Sequence, residues 1–466
     1  MQSARFPARR DALRLSIAGV LGWNLPQCLA LAAAGKSSTR AAAKNVLVIL
    51  EQGGLSQMDT WDPKPEAVAE HRSPMKPVAT KVTGMRFTEL LSETARVADK
   101  LAVVRSMWHP KAGASGHGEG TQYMLSGAHP GGVVPMPDMG SVASHVLGST
   151  CHYLPPYVMV PGNHEQAAVT STGFLPASTK AFKTGGADLS APGWKVGSLE
   201  PRPETPTDRL ESRHELLSAF NARVSPGNGP NFGGMERFYE QAFDTLTSPK
   251  VAKAFDYQLE PLTVREKYGK GHRGACYLVG RKLIEAGVRF VTVDVRWPFS
   301  PDVPGGFNLN WDHHDFIYAK GSCGTVRDKA GGEGRYGIGH WVMMGSTDRA
   351  FAALIDDLEQ RGLLSETLVC FVTEFGRTPK LNKFQGRDHW TNSYSIAFAG
   401  AGVRGGQVIG STDKDGGQVT NDPYTPEAYA ATVYEKLGID RTKPLYTAND
   451  RPVFIGHDAD PIPQLV

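Results

Sequence analysis

The chain has 466 residues, 40% of them hydrophobic, and its 50 basic and 47 acidic residues leave a net charge of +3. This near balance, with no stripe of basic residues between aromatic ones, excludes the usual nucleic-acid-binding surface and gives no support to a signalling role. The 52 glycines and 32 prolines predict many loops around a regular framework. The cysteines form no CxxC pair, which excludes a zinc knuckle but leaves disulfides open. They are Cys28, Cys151, Cys276, Cys323 and Cys370.

The N-terminal segment has the features of an export signal. Arg9 and Arg10 precede an apolar run that small residues follow, which is typical of a twin-arginine signal. Trp23, Asn24 and Pro26 interrupt the run, so no stable membrane span is predicted. An ordinary amphipathic segment is the alternative. We expect residues 1–44 to be signal and linker, and the protein to act in the periplasm or outside the cell.

The rest of the chain alternates predicted strands and helices. The first strand is "KNVLVILEQGG", whose unbroken apolar run and glycine turn are typical of a parallel strand buried on both faces. Further helices and strands follow in "RVADKLAVVRSMW", "GACYLVGRKLIEAGVRFVTVDV", "DRAFAALIDDLEQRGLLSETLVCFVTEFG", "SYSIAFAGAGV" and "PEAYAATVYEKLGID". This alternation predicts an α/β fold with a mostly parallel sheet, in one domain over residues 45–466. The stretch from about 155 to 271 is rich in proline, glycine, serine and threonine, and we expect a loop-rich insertion there.

Acidic, amide, basic and histidine side chains follow four of these strands, where an α/β sheet places its sites. They are Glu51, Gln57, Asp59 and Asp62; His109, His117 and Glu119; Asp312, His313, His314 and Asp315; and Glu374, Arg377, Arg387, Asp388 and His389. Imidazole together with carboxylate suits zinc, manganese or iron better than calcium or magnesium. Each group also has an ordinary structural explanation: a turn capped by Asp312, an ion pair of Glu374 with Arg377, or a packed His389.

The glycine-rich stretch "SGHGEGTQYMLSGAHP", residues 115–130, is predicted to open a helix. A helix N-terminus favours anionic groups, so His117, Glu119 and Thr121 could lie beside an anion or a metal ion. A polar surface loop is the alternative interpretation.

Several of these segments resemble known proteins. "DRAFAALIDDLEQRGLLSETLVCFVTEFGRTP" is similar to a helix, strand and metal-ligand turn of the alkaline phosphatase and sulfatase superfamily. "GGLSQMDTWDPKP", "MLSGAHP", "NWDHHDF", "TEFGRTP", "GRDHW" and "DADPIPQLV" resemble, in the same order, the exported family 1501 among domains of unknown function. The resemblance covers nearly the whole mature chain and implies an alkaline phosphatase-like fold, with a mostly parallel sheet sandwiched by helices.

The resemblance also implies roles for single residues. His117 takes the place of the sulfatase nucleophile and Thr121 that of a catalytic arginine, so the formylglycine precursor is missing. Ser115, Thr121 and Ser56 remain as hydroxyl candidates, and phosphohistidine-type catalysis at His117 is conceivable. The implied metal ligands are a first-turn carboxylate (Asp59, or else Glu51), Asp312, His314 (or His313), Glu374 and His389.

The leading hypothesis is a metal-dependent hydrolase of phosphate or sulfate esters that acts on an anionic ester, for example a sulfated or phosphorylated glycan. It would hold one or two divalent ions, zinc or manganese before calcium or magnesium. Arg377 and Arg387 would clamp the anion, with Gln57 as a neutral neighbour; surface ion pairing is the alternative for both arginines. The rival hypothesis is a non-catalytic binding or scaffolding protein that keeps the hydrolase fold.

Overall fold

A central sheet of eight strands organises the structure. The computed structural model describes residues 41–162, 170–186, 188–200, 206–223, 232–295, 311–312, 314, 344–383, 385–456 and 459–466. Residues 1–40 of the expected signal and linker, which include Arg9, Arg10 and Cys28, lie outside these residues, as do His313, Asp315 and Cys323. Among the helices of the described ranges, none has both the length and the apolar character to cross a bilayer.

The strands and helices keep the order that the apolar runs predict. The strands are β1 (Asn45–Leu50), β2 (Pro77–Ala79), β3 (Arg86–Thr88), β4 (Ala102–Met107), β5 (Tyr157–Pro161), β6 (Phe182–Lys183), β7 (Phe290–Asp294), β8 (Thr367–Val372), β9 (Gly376–Arg377), β10 (His389–Trp390), β11 (Tyr394–Ala399), β12 (Gln407–Ile409), β13 (Ser411–Thr412), β14 (Val419–Asn421), β15 (Leu445–Tyr446) and β16 (Pro452–Val453). The helices are α1 (Ser92–Ala95), α2 (His117–Ser126), α3 (Met139–Leu147), α4 (Thr207–Arg223), α5 (Phe232–Thr247), α6 (Pro249–Phe255), α7 (Leu262–Tyr268), α8 (His272–Glu285), α9 (Met344–Gln360) and α10 (Pro426–Leu437).

The strand order in the large sheet is β12-β4-β11-β8-β1-β7-β5-β6. Neighbouring strands are parallel except at β11, which is antiparallel to both β4 and β8. The prediction of a mostly parallel sheet is therefore confirmed. The stretch from about 155 to 271, expected to be a loop-rich insertion, contributes β5 and β6 to this sheet. The short apolar run "YVMVP" is buried along its whole length. It forms a strand because burial of this run stabilises the sheet more than the surrounding prolines disfavour it.

Helices cover both faces of the sheet. Leu47 and Ile49 of β1 pack into a core that includes residues of α8 and α9, whereas Val46, Val48 and Leu50 pack into a second core with residues of α2, α3 and α10. Successive side chains of a strand point to opposite faces, so an unbroken apolar run is what a strand between two helical layers needs. Cys370 of β8 is fully buried in the second core, as its apolar neighbours predict.

Helix α2 is held tightly against α10 at its C-terminal end. Gly127, which follows α2, has φ +64°, and a Cβ atom built on it would lie 2.0 Å from the Ala430 Cβ. The Tyr123 hydroxyl donates a 2.6 Å hydrogen bond to Glu427 of α10. These contacts fix the helix whose first residue is His117.

We expect Gly127→Ala to lower the free energy of unfolding by about 2–5 kcal/mol, because the left-handed conformation costs about 1–2 kcal/mol and overpacking against Ala430 adds about 1–3. Gly84→Ala is the matched control, since Gly84 has φ +82° but no atom lies within 4 Å of the position that a Cβ would take there. That variant would lose only the conformational part. Urea denaturation of both variants gives the comparison, and equal losses would contradict the close approach of α2 and α10.

His272, the first residue of α8, is fully buried, and its Nδ1 accepts a 2.9 Å hydrogen bond from the Leu189 N–H. Burial, together with Arg273, lowers the pKa of His272 to about 3. Below the unfolded pKa of about 6.5 the unfolded chain binds a proton that the folded chain excludes. This contribution to stability is therefore complete above that pH and is lost as the pH falls.

We expect His272→Asn, which keeps an acceptor atom, to remove about 2 kcal/mol of the stability lost between about pH 7.5 and pH 5. Chemical denaturation of the wild type and the variant at both pH values measures this difference. An identical pH dependence in the two proteins would show that His272 does not titrate on unfolding.

Candidate metal centre

The carboxyl ends of the central strands meet at one edge of the sheet. Leu50, the last residue of β1, pairs with Val372 of β8 on one side and with Asp294 of β7 on the other. The turns after β1 and β8 are therefore neighbours, and the Gly53 N–H donates a 2.8 Å hydrogen bond to Glu374. This edge collects the side chains that the sequence singles out.

Asp312 reaches this edge because the chain crosses directly over Gly53. The Trp311 N–H donates to the Gln52 carbonyl at 3.2 Å. Gly53 has φ +102°, and a Cβ atom there would lie 2.5 Å from the Asp312 nitrogen. Only glycine allows this crossing, so the glycine turn after β1 fixes the position of Asp312.

Three imidazoles surround the Asp312 carboxylate. His117 Nε2 lies 3.2 Å from Oδ2, while His314 Nε2 and His389 Nε2 lie 2.9 and 3.3 Å from Oδ1. The two latter nitrogens are 3.1 Å apart. His117, Asp312 and His389 offer ligand atoms that all lie within 4.8 Å of one another. The structure thus brings together residues from three remote parts of the chain.

Each of these imidazoles makes a second contact through its Nδ1 atom. The partners are the Ser115 carbonyl for His389 at 2.6 Å, Glu374 for His117 at 2.6 Å, and Asp388 for His314 at 3.0 Å. A carbonyl or carboxylate oxygen only accepts, so Nδ1 carries a proton. In a neutral ring the Nε2 lone pair then faces Asp312, whereas in a charged ring Nε2 donates to it. Histidines that bind metals are held in this way.

The donor set fits a divalent cation. Neutral rings whose lone pairs face one another and a carboxylate need a proton or a cation between them. Metal–ligand bonds of about 2.0–2.1 Å in a tetrahedral arrangement place ligand atoms about 3.3 Å apart, close to the separations of His117 and His389 from Asp312. His117 Nε2 is moreover buried, and its 3.2 Å contact with Asp312 Oδ2 does not have hydrogen-bond geometry.

The electrostatics of the cluster follow from these contacts. Burial opposes the charging of His117, but the Asp312 and Glu374 carboxylates outweigh it and raise its pKa to about 9. Burial also opposes ionisation of Asp312 and Glu374, and the histidine contacts nevertheless hold the pKa of each carboxyl below its ordinary value. Desolvation lowers the pKa of His389, despite its contact with Asp312. The two carboxylates thus favour positive charge at His117, while burial keeps His389 neutral more readily.

Arg377 lies beneath the cluster and is almost wholly buried. Its guanidinium donates to Asp312 at 2.5 Å and to the carbonyls of Gly53, Gly54 and Arg387. Gln57 brackets it: the Arg377 N–H donates to Oε1 of Gln57, and Nε2 of Gln57 donates to the Arg377 carbonyl, both at 3.0 Å. Arg377 therefore holds the Asp312 carboxylate and the loop carbonyls, and Gln57 holds the backbone of Arg377.

Asp59 and Arg387 form a fully buried ion pair with a separation of 3.2 Å. The guanidinium also donates to the carbonyls of His71, Thr378 and Pro379. Neither residue belongs to the cluster of ligand atoms around Asp312. Glu51, the other first-turn carboxylate, is paired with Arg273 at 3.1 Å.

Two of the three hydroxyl candidates are buried without a hydrogen-bonded base in the described ranges. Thr121 and Ser56 are buried, and within the described ranges neither side-chain hydroxyl has a hydrogen-bond partner. Ser115 contributes its backbone carbonyl, which holds His389. Within the described ranges, neither Thr121 nor Ser56 is therefore hydrogen-bonded to an imidazole.

Two residues contribute to the site without having been assigned a role from the sequence. Phe375 is fully buried, and its ring centroid lies 5.2 Å from that of His117 and 4.5 Å from that of His389. Asp388 holds His314. Asp388 is one of the strand-end carboxylates in the sequence, whereas the only sequence signal for Phe375 is its place between Glu374 and Gly376.

Comparisons with known proteins give one family match and several distant structural similarities. None of the curated proteins compared with the chain matches it significantly. Three of the similar solved structures are the lipoteichoic acid synthase LtaP from Listeria monocytogenes (11% identity, TM-score 0.30, covering 87% of this chain and 74% of that one), the phosphonate monoester hydrolase SpPMH from Silicibacter pomeroyi (11%, 0.33, 85% and 73%) and the phosphonate monoester hydrolase of Agrobacterium radiobacter (10%, 0.34, 85% and 74%). The model of one family matches residues 43–466. The chain belongs to the DUF1501 family, proteins of unknown function.

Proposed function

We propose that the protein is a metal-dependent hydrolase of anionic esters whose centre holds one divalent cation. His117, Asp312 and His389 would bind the ion, and His314 lies close enough to join them. The observation that carries the proposal is the shared orientation of the imidazoles, each held at Nδ1 by an oxygen and directing Nε2 at Asp312. Hydrogen bonds of this kind orient metal-binding histidines and raise their basicity.

The contacts that the neighbouring residues already make favour a single ion over a pair. Asp59 faces Arg387 across a buried ion pair. Glu374 accepts hydrogen bonds from His117 and from the Gly53 N–H. The Phe375 ring occupies the space beside the His117 and His389 rings. A second ion would need carboxylates that these contacts already use.

The donor set favours zinc or manganese over calcium and magnesium, because imidazole nitrogen suits the former pair. When bound, such an ion supplies Lewis-acid polarisation and a strong nucleophile from water near neutral pH. The protein's own residues hold the ligands in place: Glu374 orients His117, and Arg377 fixes the Asp312 carboxylate. No side-chain hydroxyl is needed as a nucleophile.

Phosphate and sulfate esters are the proposed substrates, and a sulfated or phosphorylated glycan is one example. The support for this class is the sequence similarity of the strand-end motifs to the alkaline phosphatase and sulfatase superfamily. Export through the twin-arginine pathway is part of the same proposal. It would carry the folded chain, with its metal in place, to a compartment where such polymers occur.

A second candidate is a non-catalytic protein that binds anionic glycans. It is favoured by the position of His314, because four protein ligands would complete a tetrahedral shell, as in structural zinc sites. A closed shell leaves no position for water or substrate. The two candidates differ in turnover and agree on the bound ion.

We expect the purified mature chain to hold about one divalent ion per molecule, bound by the three residues of the ligand cluster. Removing a residue that hydrogen-bonds to a metal ligand costs about 10–100-fold in metal affinity, and removing the ligand itself should cost more. His117→Ala and His389→Ala are therefore expected to lose more than about 100-fold. Elemental analysis and competition with a chelating dye measure content and affinity.

His152→Ala is the matched control for these variants, since the His152 side chain is 82% exposed and lies in the loop between α3 and β5. It should keep the ion. Asp59→Asn should also keep the ion in whatever fraction folds. Loss of the ion in folded Asp59→Asn, or its retention in His389→Ala, would contradict the assigned ligand set.

We expect the wild type to hydrolyse aryl phosphate or aryl sulfate esters, with activity lost on chelation and restored by zinc or manganese. His389→Ala should lower kcat/KM by more than about 100-fold, as a group that stabilises the transition state does, and His152→Ala should leave it unchanged. A chain that keeps its ion but turns over no ester contradicts the hydrolase proposal. Saturable binding of sulfated glycans by that chain would support the second candidate.

A further inference from the structure

Glu51 is a buried carboxylate that the candidate metal centre does not use directly. Its oxygens are contacted by the Tyr277 hydroxyl at 2.6 Å, the Trp311 Nε1 at 3.0 Å, the Arg273 guanidinium at 3.1 Å and the Thr347 hydroxyl at 3.4 Å. The donors come from α8, from α9 and from the segment that precedes Asp312. Glu51 is therefore the point where these parts of the chain are tied together.

Stability alone is a weak reason for such a group. Glu51 and Arg273 each expose only 1% of their side chains, and desolvating two charges offsets most of their attraction. Apolar residues of similar volume often replace buried ion pairs without loss of stability. A buried carboxylate with several directional donors does more to specify geometry than to add stability.

The geometry that it specifies is that of Trp311. The indole N–H is held by Glu51, and the backbone N–H of the same residue is held by the Gln52 carbonyl at 3.2 Å. Trp311 is 1% exposed, so its ring is enclosed by protein atoms. Side chain and backbone are thus both fixed one residue before Asp312, at the place where the chain crosses Gly53.

We propose that Glu51 is a positioning residue of the metal centre and that it acts through the Trp311 indole to place Asp312 among the histidines. The inference rests on the proposed function, since the position of Asp312 matters for an ion bound there. Glu51 itself touches neither the histidines nor Asp312 in the contacts described, and its effect passes through one hydrogen bond. That bond can be removed without touching a ligand.

Three variants separate positioning from stability. Trp311→Phe removes the indole donor to Glu51 and leaves an aromatic ring. Tyr277→Phe removes a different donor to the same carboxylate, on α8. Trp61→Phe removes the same volume from another fully buried indole, whose Nε1 has no hydrogen-bond partner among the described residues. The second variant controls for the loss of a hydrogen bond and the third for the loss of volume.

The experiment measures the affinity of each full-length mature variant for zinc alone, by competition with a chelating dye, together with its melting temperature without metal. We expect Trp311→Phe to weaken zinc binding by about 10–100-fold, the effect of removing a residue that supports a ligand. The zinc affinities of Tyr277→Phe and Trp61→Phe should stay within about threefold of the wild-type affinity, even if their melting temperatures fall as much as that of Trp311→Phe.

Each result has a definite meaning. Equal zinc affinities in all three variants would overturn the positioning role while leaving the metal centre intact. A loss of affinity in Tyr277→Phe or Trp61→Phe as large as that in Trp311→Phe would overturn it too, because general loosening of the core would then explain the effect. A wild type that binds no zinc and no manganese would overturn both this inference and the proposed function.

Discussion

The hydrogen bonds at the Nδ1 atoms of three histidines determine the chemistry of the site. Each acceptor is an oxygen that does not move with the ring: a backbone carbonyl, or a carboxylate with further donors of its own. With Nδ1 fixed, the rings present their other nitrogens to the Asp312 carboxylate. If the Nδ1 contacts were lost, the rings could turn away, and the same residues would be a patch of polar side chains.

The loops that carry these acceptors have little regular structure, and buried guanidinium groups hold them. Arg377 donates to the carbonyls of Gly53, Gly54 and Arg387, while Arg387 donates to carbonyls of its own loop and of a segment more than 300 residues earlier, at His71. Backbone groups buried outside helices and sheets need such partners. The sequence suggested both arginines for anion binding. In the structure their guanidinium groups supply the hydrogen bonds that loop carbonyls would otherwise receive from a neighbouring strand.

The fold was largely predictable from the sequence, and the site only in outline. Unbroken apolar runs such as that of β1 predict buried strands, and buried parallel strands predict the edge where polar residues gather. Pairing cannot be predicted this way. Asp59 and Asp312 look equivalent among the carboxylates of the sequence, and each pairs with a buried arginine. What separates them is the three imidazoles that meet at Asp312. Likewise, Glu374 sits behind His117 because of a hydrogen bond across 257 positions.

The antiparallel direction of β11 determines which residues around it can reach the candidate metal centre. Because β11 runs against its neighbours, its first residue, Tyr394, lies beside Met107 at the end of β4. His389 therefore reaches the common edge from the segment that precedes β11, whereas Glu374 reaches it from the segment that follows β8. Reversing one strand in a sheet of this kind lets the residues that precede it reach the same edge as the residues that follow its parallel neighbours.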